Sequence, residues 1–154
     1  MMNTSKAVAY CALIALSALY AVGFVNSEVL RHSVQTLPLW FPIAMGWRNR
    51  ETAKWAAVPC FIIWLMLMCV IWLFLLGWTN IISGHFSGIE IALTLVIGGS
   101  CIVGTIVALR WRTRVNWVKG LSMAALFAIF QMVALRLSFL PSIAKDPIIL
   151  FGQS

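Results

Sequence analysis

The stretch FIIWLMLMCVIWLFLLGW, residues 61–78, runs for 18 residues without a charge, a carboxamide or a hydroxyl. Extended back to Ala56, it matches the roughly 20 residues an α-helix needs to cross the hydrocarbon core of a bilayer. Pro59 falls in the opening turns, where the hydrogen bond that a proline forfeits matters least. The segment reads as a transmembrane helix.

The whole chain has the same character. Of its 154 residues 62% are hydrophobic and 10% charged, with a mean hydropathy of +0.98. A soluble domain carries about a quarter charged residues. The composition excludes a soluble enzyme, a disordered segment and a disulfide-stapled secreted domain. Eleven Lys+Arg outnumber four Asp+Glu, giving a formal charge of +7. The cations sit at the ends of apolar runs, where they serve topology and anionic lipid headgroups, so nucleic acid is not an expected partner. Cys11, Cys60, Cys69 and Cys101 all lie inside apolar runs, form no CxxC pair, and read as small apolar residues.

Three further spans are expected. The first is Ala7 to Val25; the following YAVGFVNSE offers no small-x-small cleavage site, so it reads as an uncleaved helix rather than a signal peptide. The third is Ile89 to Leu109, introduced by Ser87-Gly-Ile-Glu90, which has the spacing of a capping box. The fourth is Gly120 to Leu140, with Asn116 as its cap and Pro141 as its stop. Between the first and second spans, Val34 to Trp47 is apolar but short, and Pro38 and Pro42 are expected to break a helix twice. With Trp40 and Trp47 suited to the headgroup level, this segment reads as in-plane or shallowly re-entrant. Asn49 is expected to cap the second span, with Glu51 in its first turn. The predicted class is therefore all-α: a polytopic integral membrane protein, one domain over 1–154, with four transmembrane helices and a short interfacial segment.

Lys and Arg in short loops set orientation. Arg48, Arg50 and Lys54 precede the second span, while Arg110, Arg112, Arg114 and Lys119 separate the third from the fourth. The loop between the second and third has no cation. Four spans then place both termini on the non-cytoplasmic side, and the compact loops suit a bacterial inner membrane. Were 34–47 to cross, the N-terminus would lie inside.

Helices in lipid approach through small residues. Such stripes occur at Ala7, Cys11, Ala18 and Ala21, at Glu90, Thr94, Cys101, Gly104, Thr105 and Ala108, and at Gly120, Ala124, Ala128 and Gln131. The first, third and fourth spans are thus expected to pack together. The uniformly bulky second span is expected to lie outside them, offering Trp64 and Trp72, together with Trp40, to a partner.

Polar residues inside a membrane are the candidates for function. Glu90 is either the carboxylate of the capping box or a site for a proton or a cationic solute. Arg136 lies at a similar depth, to pair with Glu90 or to snorkel outward. Gln131 is expected to hydrogen-bond Thr94 or a carbonyl of the third span, or to offer its amide to a substrate. The expected topology separates His32 from His85, which argues against bis-histidine haem. No zinc-binding HExxH and no GxSxG occurs, and GGSCIVG at residues 98–104 lacks the lysine of a phosphate loop. No cofactor or metal is expected. The leading expectation is a non-enzymatic accessory or scaffold subunit of a larger membrane complex. The alternative is a homo-oligomeric proton-coupled transporter or channel built around Glu90, with Gln131, Arg136 and Thr94 in support.

Overall fold

The computed structural model describes residues 3–80, 86–140 and Ile143. His85, Pro141 and nearly all of the tail to Ser154 lie outside the described residues. Five α-helices follow in order: α1 Thr4–Val25, α2 Val29–Trp47, α3 Ala53–Leu75, α4 Gly88–Arg110 and α5 Trp117–Ser138. Among the described residues there is no strand. Four of the helices (α1, α3, α4 and α5) are long and apolar enough to cross a membrane.

Local chemistry sets the ends. Ser87 Oγ accepts from the Glu90 N–H and the Glu90 carboxylate accepts from the Ser87 N–H, so the capping box at the start of α4 is present. Asn116 caps α5 through the Val118 N–H at 2.9 Å. Asn49 does not cap α3. It is the left-handed residue that ends α2 (φ 54°), with its N–H on the Gly46 carbonyl and the Arg50 N–H on Met45. Glu51 precedes α3 and accepts instead from the Arg114 N–H at 2.6 Å.

The largest departure from expectation is α2. Residues 34–47 are not broken at Pro38 and Pro42 but belong to one continuous helix of 19 residues. Both rings are buried, and their spacing of four puts them on one face. Each deletes one N–H donor, freeing the carbonyl four residues back, that of Val34 and that of Pro38. Carbonyls of the neighbouring turns take additional donors: Thr36 Oγ1 donates to the His32 carbonyl at 2.9 Å, and the Gln131 amide of α5 to the Gln35 carbonyl at 3.0 Å.

α2 lies antiparallel along α1 from end to end. Ser5 Oγ donates to the Gly46 carbonyl at 3.1 Å at one end, and Gly23 lies under the His32 ring at the other. Asn3 and Ser5 also hold the Asn49 side chain, at 3.0 and 3.2 Å. A Cβ added at Gly46 would fall 2.6 Å from the Ser5 carbonyl oxygen and 2.8 Å from the Ala9 methyl.

The bulky helix is central, not peripheral. α3 packs against all four others, whereas α5 approaches neither α1 nor α4 among the described residues. Three rings of α3 enter three glycines: Trp55 over Gly120, Phe61 over Gly104 and Trp72 over Gly98. Small residues on α4 and α5 therefore mark sockets for α3 rather than a mutual contact. The α3 sequence also holds its own small stripe, Ala53, Ala56, Ala57 and Cys60, all buried. The small stripe of α4 is buried as expected, with Thr105 only half-buried.

Gly46→Val should loosen the α1–α2 contact and destabilise the protein by about 1–3 kcal/mol, as overpacking does elsewhere. Gly99→Val, on an open face of α4 with nothing within 4 Å of the added carbon, should change stability by no more than about 0.5 kcal/mol. Denaturant titration in micelles, followed by tryptophan fluorescence, compares them.

Candidate functional site

A polar seam runs between α2 and α5. On α2 the sequence EVLRHSVQ places Glu28, Arg31, His32 and Gln35 at intervals of three and four, hence on one face. Arg31 pairs with the Glu28 carboxylate at 2.5 Å, and its guanidinium lies 4.6 Å above the Phe139 ring. His32 Nδ1 faces the Glu28 carbonyl at 3.1 Å. His32 is therefore a helical residue rather than part of a loop.

Further along the seam, Gln35 Nε2 donates to Ser138 Oγ at 3.0 Å, and that hydroxyl donates to the Leu135 carbonyl at 2.7 Å. Gln131 Nε2 donates to the Gln35 carbonyl at 3.0 Å. Gln131 is fully buried, about 16 Å along α5 from Gly120. Two atoms of the seam, Arg31 Nε and Gln131 Oε1, are buried with no hydrogen-bond partner among the described residues. The seam is a chain of donors and acceptors from one end of the bundle to mid-depth, with an open acceptor at its inner end.

The residues singled out from sequence do not assemble into one site. Gln131 makes its bond to α2, not to Thr94 or α4. Thr94 Oγ1 donates to the Ile91 carbonyl at 2.8 Å and accepts from Trp72 Nε1 at 3.2 Å. Glu90 is buried at the start of α4, tied to Ser87 and met by the Asn26 side chain at the end of α1. Arg136 is exposed on the outer face of α5, beside Met132, Val133 and Leu137. It does not join Glu90, because α4 and α5 do not approach each other.

The docking role expected of Trp64 and Trp72 requires an outward face. Trp64 is buried in the core and Trp72 is seated on Gly98, so both face inward. Trp40 alone of the three is exposed. Gln35 went unnoticed in the sequence because the prolines concealed the helical period of α2, and Ser138 because it lies at the end of α5, an expected span. The spacing of Glu28, Arg31, His32 and Gln35 was the available signal. Among the described residues no cluster of three or more His, Cys, Asp or Glu forms a metal site.

The class defined so far is an all-helical protein with four helices able to span a membrane and a polar seam beside them. No protein-family model, curated protein or solved structure matches the chain.

Ser87→Ala should cost about 1 kcal/mol, the usual loss for an N-cap hydroxyl. Gln131→Leu should cost less than about 1 kcal/mol, because interhelical hydrogen bonds in membranes average about 0.6 kcal/mol. It also removes an unpartnered carbonyl. Unfolding in micelles measures both, and a loss of several kcal/mol for Gln131→Leu would show the seam to be a main source of stability.

Proposed function

We propose that the chain is a five-span inner-membrane protein with a cytoplasmic N-terminus, serving as a non-enzymatic accessory or scaffold subunit of a larger membrane complex. What supports a fifth span is the end-to-end pairing of α2 with α1: α2 is about 28 Å long, close to the thickness of the hydrocarbon core. An in-plane or re-entrant segment could not keep both ends of that pairing. The charge distribution agrees. Lys6, Arg48, Arg50, Lys54, Arg110, Arg112, Arg114 and Lys119 belong to one end of the bundle, leaving only Arg31 and Arg136 of the described cations toward the other. Cations mark the cytoplasmic side. The orientation with the N-terminus outside, which follows from four spans, is thereby reversed, and the C-terminus stays outside.

The observation that carries the scaffold reading is how the polar groups are used. The Glu90 carboxylate, the Thr94 hydroxyl, the Gln35 amide and the Ser138 hydroxyl are all bonded within the fold. Lys54 Nζ likewise closes the end of α4 on the Trp111 carbonyl at 2.8 Å. These groups hold helices together instead of converging on a substrate-sized cavity.

A second reading, the homo-oligomeric proton-coupled transporter or channel, is favoured by one observation: the unpartnered Gln131 oxygen at the inner end of the seam.

Native mass spectrometry of gently extracted protein should find it bound to other polypeptides. A homo-oligomer without partners would sink the scaffold reading. Proton flux in proteoliposomes that is lost in Glu90→Gln would establish the transporter. For topology, a membrane-impermeant maleimide added to intact cells should label Ser27→Cys and spare Arg112→Cys. Protection of Ser27→Cys would restore the four-span orientation.

A further inference from the structure

The geometry points to an anionic-phospholipid site where α2 ends at the basic side of the bundle. A cavity of about 370 Å³ opens there, lined by Phe41, Ala44, Met45, Arg48, Arg50 and Thr52. Its composition is graded. Phe41 and Ala44, on the exposed face of α2, form an apolar trough on the membrane side. Arg48, Arg50 and Thr52 form the polar rim. An acyl chain beneath a phosphate has the same order of chemistry.

The rim is built, not merely charged. The turn that carries the two arginines closes on Met45 and Gly46 through the N–H groups of Arg50 and Asn49, at 2.9 and 3.1 Å. The Asn49 side chain between them is pinned to Asn3 and Ser5 of α1. Arg48 and Arg50 are thus held on either side of a fixed residue. Both are exposed, and among the described residues neither forms an ion pair. The nearest carboxylate in sequence, Glu51, is turned away to the Arg114 N–H. The Thr52 hydroxyl has only the Met45 sulfur as acceptor, at 3.8 Å, and a thioether is a weak one. Two unpaired guanidiniums and a weakly engaged hydroxyl above an apolar trough suit a phosphodiester, which guanidinium binds in bidentate fashion. Basic sites on the cytoplasmic side of helical bundles take anionic lipid headgroups by this chemistry.

The inference rests on the membrane reading but not on orientation, because detergent micelles have no sidedness. Native mass spectrometry of the full chain in micelles doped with phosphatidylglycerol or phosphatidylcholine provides the test. The protein should retain phosphatidylglycerol in preference. Arg48→Gln with Arg50→Gln should weaken that retention by roughly 30-fold, since each surface cation is worth about a fivefold factor. Arg112→Gln with Arg114→Gln, which removes the same charge elsewhere on the same end, should leave it within about twofold. Equal losses in the two variants would reduce the site to diffuse charge and overturn it, as would no loss in either. Displacement of the lipid by excess inorganic phosphate would mean a free anion is the ligand, and would overturn the lipid assignment. If the membrane reading itself were wrong, the protein would stay soluble without detergent, a result separate from all of these.

Discussion

Ser5 reaches the Gly46 carbonyl at 3.1 Å while the Ala9 methyl fills the space where a Gly46 side chain would begin. Two helix backbones come this close only where small residues face each other along the contact. In lipid this closeness is the main source of adhesion, since apolar surface gains little by leaving hydrocarbon for protein. Gly23 does the same at the opposite end, beneath His32. The α1–α2 pair fixes α2 as a full-length member of the bundle. The placement of the polar seam, the charge asymmetry and the arginine-rimmed cavity all follow from that.

The second constraint is the fit of rings into sockets on α3. Trp55, Phe61 and Trp72 each occupy a glycine of a neighbouring helix, and Phe61 shares Gly104 with Cys11 of α1. A ring in a socket gains dispersion contacts on several sides. This explains how a helix with bulky residues all round can be the one that touches every other. Its exposed residues, such as Ile62, Met66 and Leu73, lie on the remaining face.

Four helices and two of their caps could be read directly from the amino acids, because apolar length and capping chemistry are local properties. The inward stripe of α4 was equally legible, since Thr94, Cys101, Gly104 and Ala108 keep helical spacing. What escaped was relational. Pro38 and Pro42 look like breaks when the helix is judged alone, whereas packed between α1 and α5 with both rings buried it runs through them. The first and third spans, α1 and α4, do pack together as expected, but the stripe of α5 was assigned the wrong partner, because a glycine gives no sign of whether it faces another small residue or a tryptophan. Of the candidate polar residues, Gln131 does lie in a buried network. Its partners on α2 sat on a helix that the prolines hid, and Ser138 at the very end of α5.

The seam between α2 and α5 joins residues far apart along the chain: Gln131 to Gln35, and Ser138 to Gln35, across 96 and 103 positions. α1 and α2, by contrast, are neighbours separated by residues 26–28. At synthesis rates of about 5–20 residues per second, α2 waits on the order of ten seconds before its last partner emerges. During that interval Gln35 is without Ser138 and Gln131. Nascent chains halted before α5 should therefore be the ones that quality control recognises. The polar face of the second helix is left open until the fifth closes it.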